Sequence, residues 1–271
     1  MTGISRIREV EVSVRAFWLC LVLALPAALL VAASAEKTRT PFSLPVSFET
    51  SDGFTLKGDL TSSADANAPV AILLHMYRSN RRAWAPLVPE LAAAGFTVLA
   101  IDQRAHGDSK QRRGERVDVA AIPRADFGEL VRDGVRDVKG AAGYLARQGL
   151  ATDRIVLIGA SYGCSVSLLS AEQLDGVRAL VLLSPGTNYF GVDVLAAASS
   201  FPGPLLVVAA EDDRQAAESA RIVAARHRGA DDLEIYRSGG HGTRLFGPRP
   251  QLKRRIVEFA AKAVEPVPSQ P

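Results

Sequence analysis

Apolar residues fall into two rhythms along this chain. Val46–Thr50 and Phe54–Leu60 alternate apolar and polar positions on either side of Ser51-Asp52-Gly53, the pattern of an antiparallel hairpin. Beyond it come nearly continuous apolar runs: Val70–His75, Phe96–Asp102, Arg154–Ala160, Val177–Ser184, Leu205–Ala210 and Leu233–Arg237. Continuous runs suit strands covered on both faces, which means parallel pairing. The segments between them predict helices over Ala83–Ala94, Asp126–Arg147, Gly163–Leu174, Arg214–Arg228 and Gln251–Val264, with a short one near Val192–Ser199. A hairpin followed by repeated strand–helix units predicts an α/β fold: a doubly wound, mostly parallel sheet with an N-terminal antiparallel hairpin. Between Pro185 and Pro204 there is room for one short helix only, so no separate cap domain and a relatively open site are expected.

Composition adds limits rather than a function. At 271 residues and 48% hydrophobic content, the chain is long enough for one large α/β unit with a sizeable core. Its net charge of +3 is modest, and no arginine-rich block interleaves with aromatics, so nucleic acid is not an expected partner. The N-terminal segment reads as targeting sequence. Arg6, Arg8 and Arg15 precede an uncharged stretch, Ala16–Ala35, that ends in the small-residue triplet Ala33-Ser34-Ala35. Cleavage after Ala35 and export, periplasmic or secreted, are the expectation. The alternative is an uncleaved anchor, since the stretch approaches the ~20 apolar residues that span a bilayer; this segment is then the one membrane contact expected. Cys20 lies within it, leaving Cys164 alone in the mature chain, with no intramolecular disulfide available. The expected organisation is targeting segment 1–35, linker 36–45, folded domain 46–265 and tail 266–271.

The strongest chemical signal is Gly159-Ala160-Ser161-Tyr162-Gly163, set between the apolar run Arg154–Ala160 and a helix. A serine hydroxyl is a weak nucleophile until geometry and a base assist it. A sharp strand-to-helix turn lifts Ser161 out of the sheet, small residues at 159 and 163 leave it room, and the following helix N-terminus offers N–H groups to developing negative charge. Such a serine needs a base and an orienting acid. Of the four histidines, His75 ends a strand, His106 lies in a loop and His227 sits near a helix end. His241, in Ser238-Gly239-Gly240-His241-Gly242, follows the last strand and comes after both the serine and a strand-end acid; its alternative role is as a helix cap. Glu211-Asp212-Asp213 emerges from the carboxyl end of Leu205–Ala210, where open α/β sheets place their sites. Asp213 is the favoured acid, Asp212 its main competitor and Asp193 a distant third; either of the first two can instead cap the helix at Arg214.

With these residues, and with Leu73-Leu74-His75-Met76 and Asp102-Gln103-Arg104-Ala105-His106-Gly107-Asp108-Ser109 after successive strands, the chain resembles the α/β-hydrolase superfamily from Val46 to Val264. The resemblance implies Ser161 as nucleophile, Asp213 as acid and His241 as base, in the chain order that family uses. It also implies an oxyanion hole from the backbone N–H of Tyr162 and of either Met76 or Tyr77, with Tyr77 favoured by register. Two positions depart from the family pattern: Met76 stands where it commonly has glycine, and Ala105 replaces the first glycine of the loop after the second parallel strand. Serine at the nucleophile position, where an aspartate suggests dehalogenase or epoxide hydrolase chemistry, implies an acyl-enzyme.

The expected function is hydrolysis of carboxylic esters of small or medium size, with no cofactor and no metal. A thioesterase, a peptidase or a binding protein that keeps the fold without turnover are the alternatives. Arg78, Arg81, Arg82 and Arg104, with Arg244, either attract an anionic substrate or form a solvated loop surface. Tyr189, Phe190 and Phe246 are candidates for an acyl pocket or for ordinary core packing. Cys164 is expected to be a buried packing residue.

Overall fold

The computed structural model describes residues 43–229 and 231–265. The expected targeting segment 1–35, the cleavage expected after Ala35 and the expected 266–271 tail lie outside the described residues. Among the described residues, no helix is long and apolar enough to cross a membrane.

The chain opens on the antiparallel pair β1 (Ser43–Glu49) and β2 (Phe54–Thr61), which turn at Gly53. The parallel strands follow: β3 (Val70–Leu74), β4 (Thr97–Asp102), β7 (Ile155–Ala160), β8 (Val177–Leu183), β11 (Leu205–Ala210) and β12 (Asp231–Tyr236). Two-residue strands β5 (Gln111–Arg112) and β6 (Glu115–Arg116) form a small exposed hairpin that extends the main sheet, and β9 (Asn188–Tyr189) pairs with β10 (Val192–Asp193) separately. The order across the main sheet is β12-β11-β8-β7-β3-β4-β2, with β1 and β5 both paired to β2. Strands β3, β4, β7 and β11 are buried at every position, as parallel strands covered on both faces must be.

Side chains along each strand alternate between two cores. On one face, Val70, Ile72 and Leu74 pack with residues of α2 (Phe127–Arg147), α3 (Tyr162–Ala171), α4 (Leu195–Ser200) and α5 (Arg214–Arg226). On the other, Ala71 and Leu73 pack with residues of α1 (Val88–Ala93) and α6 (Gln251–Val264). The helix expected over Ala83–Ala94 is broken: a 3-10 turn, Arg81–Trp84, precedes α1, because Pro86 and Pro89 each lack the N–H that a continuous helix needs. The stretch from Pro185 to Pro204 likewise holds more than the single short helix expected, since β9 and β10 precede α4.

The winding reverses at β3. From there the chain passes to β4 on one side, and later to β7, β8, β11 and β12 on the other. Such a reversal opens a crevice at the carboxyl ends of the two strands that flank it. Leu74 pairs in register with Gly159, so the residues after each strand, His75-Met76-Tyr77 and Ser161-Tyr162, emerge side by side.

Candidate active site

Ser161 sits at the point where β7 becomes α3, with φ 53° and ψ −115°. An L-residue held there stores strain of about 1–3 kcal/mol, which the surroundings must impose. They do so with two backbone bonds: Ser161 N–H donates to Leu183 O at 2.8 Å, and Ser161 O accepts from Cys164 N–H at 2.8 Å. Packing enforces the same turn. A side chain at Gly163 would strike the Leu74 carbonyl, and one at Gly159 would strike the Gly163 backbone. Both glycines are therefore required by close approach of backbones. Cys164 is fully buried beneath the turn, its thiol donating to Gly159 O and Leu183 O, and burial pushes its pKa up. It is a packing residue.

The imidazole of His241 is held by a carboxylate: its Nδ1 lies 2.5 Å from Asp213 Oδ2. Asp212 points elsewhere. Its carboxylate accepts from Gly239 N–H and Gly240 N–H at 3.0–3.3 Å, pinning the glycine loop that carries the histidine. These bonds hold the Asp212 carboxyl below its ordinary range. The two neighbouring acids thus divide the work, one contacting the ring and the other its loop. Asp193, at the end of β10, instead accepts at 2.8 Å from the N–H of Leu195, the first residue of α4.

Two further residues set the His241 loop: Ser184, which the sequence did not mark, and Met76, which it marked only as a candidate oxyanion donor and a departure from the family pattern. Ser184 Oγ, buried after β8, accepts from Gly242 N–H at 2.9 Å. Met76 packs so closely on Gly242 (φ 58°) that a side chain there would meet its sulfur. Met76, where the family commonly has glycine, thereby ties the β3 turn to the histidine loop.

Ser161 and His241 line one cleft of about 390 Å3, with no direct hydrogen bond between them. Tyr77, Tyr189 and Phe190 form aromatic walls, Met76 and Tyr162 complete the floor, and Arg244 stands at the edge. The N–H of Tyr162 opens α3 and so has no intrahelical acceptor. Among the described residues the N–H groups of Met76 and Tyr77 also bond to no protein acceptor. Tyr189 directs its hydroxyl toward Ser184 O at 3.4 Å, and burial pushes its pKa up to about 12. Phe246 does not line this cleft: it is buried against Trp84 in the core on the α6 side.

The other histidines are structural. His75 is fully buried; its Nε2 accepts from Gln103 N–H at 3.1 Å, which leaves the proton on Nδ1 to donate to Met76 O at 2.7 Å. His106 packs between His75 and Tyr162 with Nδ1 against Arg104 O, and His227 lies buried beside Phe201. Burial, and then the neighbouring His106, push His75 down to about 3; burial also lowers His106. Neutral imidazoles buried in the fold but protonated when it opens make the unfolded chain the greater proton binder below pH 6.5. Stability is therefore expected to fall as pH drops from about 6.5 toward 3, by up to about 1.4 kcal/mol per pH unit for His75 alone. Urea unfolding between pH 5 and 7, above the carboxylate range, checks this. An acid limb equally steep in His75→Gln would show that this ring is not the group responsible.

The arginines near the site separate clearly. Arg81 pairs with Asp59, Asp102 and Asp108, and Arg104 with Asp52, Asp133 and Asp137. These hold the loop after β4, where Ala105 takes the left-handed φ of 64° that its replaced glycine would adopt without strain. Neither arginine is available to a ligand.

Comparison with known proteins agrees with this architecture. The family model described as alpha/beta hydrolase fold matches residues 69–230. Epoxide hydrolase B of Mycobacterium tuberculosis is 38% identical over 55 residues, 20% of this chain and 15% of that protein. Epoxide hydrolase A of the same organism is 33% identical over 127 residues, 45% of this chain and 34% of that protein. The chain thus matches 15% to 34% of the length of these curated relatives. Among solved structures, the esterase Pf2001 of Pyrococcus furiosus superposes with a TM-score of 0.68 at 21% identity, covering 82% of this chain and 92% of that one. Sheet order, the strand-to-helix turn at Ser161 and the matched family model all lead to one assignment: this chain belongs to the α/β hydrolase fold family.

Proposed function

We propose that this protein is a serine hydrolase of carboxylic esters, working through an acyl-enzyme. The observation that carries the reading is the Ser161 turn opening into the same cleft as an imidazole whose far nitrogen lies 2.5 Å from a carboxylate. In the proposed cycle Ser161 Oγ bonds to the ester carbonyl carbon while its proton passes to His241 Nε2. Asp213 holds the Nδ1 tautomer and stabilises the imidazolium. The negative oxygen that forms is met by the N–H groups of Tyr162 and Tyr77, with Met76 N–H as the alternative donor. The carbon–oxygen bond to the alcohol then breaks, and His241 returns the proton to the leaving oxygen. Water, deprotonated by His241, adds to the acyl carbon, and the acid leaves as Ser161 recovers its proton.

The curated relatives carry the name epoxide hydrolase, but the reading here follows the residue at the turn. An attacking hydroxyl yields an ester with the substrate's acyl group and suits a carbonyl substrate. The aromatic cleft supports small or medium esters over extended polymers. The arginine-led apolar stretch before Ala35 supports an exported enzyme, periplasmic or secreted.

A fluorophosphonate probe tests the proposal. The full chain is expected to take up one label, located at Ser161 by peptide mass spectrometry, and to turn over nitrophenyl esters of short acids. A chain that neither labels nor hydrolyses any such ester would overturn it.

A further inference from the structure

The catalytic cleft is walled by aromatic and apolar groups, and a guanidinium stands at its edge. Among the described residues that line it, Arg244 is the one Lys, Arg, Asp or Glu. Asp213 lies behind the imidazole and does not line the cleft. Unlike Arg81 and Arg104, which are consumed by carboxylates, Arg244 makes no side-chain hydrogen bond or ion pair among the described residues.

Its backbone is nevertheless fixed. Arg244 belongs to the 3-10 turn Gly242–Phe246 that leaves His241, its N–H donates to His241 O at 3.2 Å, and its carbonyl accepts from Gly247 N–H at 3.2 Å. Leu245 and Phe246 beside it are buried. A rigid turn that anchors its neighbours in the core thus presents an unpaired cation three residues beyond the proposed base. Arg78 adds a second. It is exposed, has left the β3 turn through a left-handed φ of 57°, and stacks its guanidinium 5.5 Å from the ring of Tyr77, itself a wall of the cleft. It too meets no carboxylate among the described residues.

An unpaired guanidinium at the rim of an apolar cleft is complemented by an oxyanion able to take two parallel hydrogen bonds, and in an ester substrate a carboxylate is the simplest such group. We infer that the preferred substrate is an acidic ester, with an ionised carboxylate close to the scissile carbonyl that pairs with Arg244 while Ser161 attacks. Arg78 strengthens the positive field at the mouth and draws such a substrate in. The inference rests on the ester-hydrolase reading and narrows it. Overall, the acidic ester and water give a carboxylic acid and an alcohol, the substrate's ionised carboxylate staying on whichever fragment carries it, with Ser161 and His241 back in their starting protonation states.

Two pairs of esters test this with the full chain. Mono-nitrophenyl glutarate and its methyl-capped counterpart place the charge on the acyl side. The butyrate esters of 4-hydroxybenzoate and of methyl 4-hydroxybenzoate place it on the alcohol side. Each kcat/KM is corrected for the ester's intrinsic reactivity toward hydroxide. The expected result is that at least one charged ester exceeds its neutral partner by about tenfold to a hundredfold, the worth of a charge-assisted contact. The preference is expected to shrink as ionic strength rises. Arg244→Gln is expected to lower that selectivity ratio about tenfold or more, chiefly through KM of the acidic ester, and Arg244→Lys to keep part of it. The pair that shows the effect says which side of the ester carries the acid. Equal or inverted rates in both pairs, or a ratio unmoved by Arg244→Gln, would overturn the inference while leaving ester hydrolysis standing. Turnover of none of the four esters would remove the ester-hydrolase reading, and this inference with it.

Discussion

Replacing Ser161 with alanine is expected to lower kcat for nitrophenyl esters by about 10^4-fold or more and to abolish fluorophosphonate labelling. The size follows from what is lost. Without Oγ there is no covalent path, and His241 retains only the ability to activate water beside whatever N–H donors remain. Those donors and substrate binding leave a residual acceleration of about 10^3–10^4 over water, so the variant should be slow rather than inert. Substrate binding is expected to survive, because the cleft walls of Tyr77, Tyr189 and Phe190 do not depend on the hydroxyl. Glycine is not a useful control here, since it would also release the strain held at φ 53°. Stopped-flow or long-time-course kinetics with a mass check for the unlabelled chain decides the matter. Unreduced turnover would transfer the chemistry away from this turn.

The second large effect separates the two adjacent acids. Asp213→Asn is expected to reduce kcat by about 10^3–10^4-fold, because an amide beside Nδ1 no longer holds the donor tautomer or balances an imidazolium. Asp212→Asn is expected to act differently. Its oxygen can still accept from Gly239 N–H or Gly240 N–H, so the loss should be within about tenfold and should reflect a looser histidine loop rather than a missing charge. The two substitutions differ in charge by the same amount and sit one residue apart. A shared long-range electrostatic effect would therefore lower both alike, whereas a contact effect separates them. Paired kcat measurements, with far-ultraviolet circular dichroism to establish folding, distinguish these outcomes. Equal losses would mean that the 2.5 Å contact of Asp213 with His241 is not the one that matters.

The separation of these acids also marks the limit of what a linear reading can reach. Glu211-Asp212-Asp213 leaves β11 as a run of similar carboxylates, and the sequence favours Asp213 while keeping Asp212 as its competitor. Their directions are set by the turn in which Asp213 N–H donates to Ala210 O before α5 begins. The arginines behave in the same way. Arg81, Arg104 and Arg244 read alike along the chain, yet two are consumed by carboxylates from β2, α2 and the loop after β4, and one is left facing the cleft.

Much of the fold was legible for a direct physical reason. Continuous apolar runs such as Leu205–Ala210 have no wet face, so they belong in a sheet covered on both sides, and that sheet is what forms. Gly159 and Gly163 around a serine, between such a run and a helix, report a local steric requirement that needs no distant partner to be recognised. Broken or very short elements were not legible. The exposed pair at Gln111–Arg116 has too few residues to show a period, and the prolines that interrupt Ala83–Ala94 lie within a stretch whose apolar spacing still reads as one helix.

The chain by itself therefore determined the layered α/β architecture, the strained turn at Ser161 and the set of residue types at the strand ends, because each depends on local sterics or on the period of burial. Only the tertiary structure decided which carboxylate meets His241, that Ser184 and Met76 brace its loop, and which arginine stays unpaired. Those outcomes depend on side chains converging from residues 76 to 244, and the direction of a side chain in a loop is decided by what packs against it rather than by its neighbours in sequence.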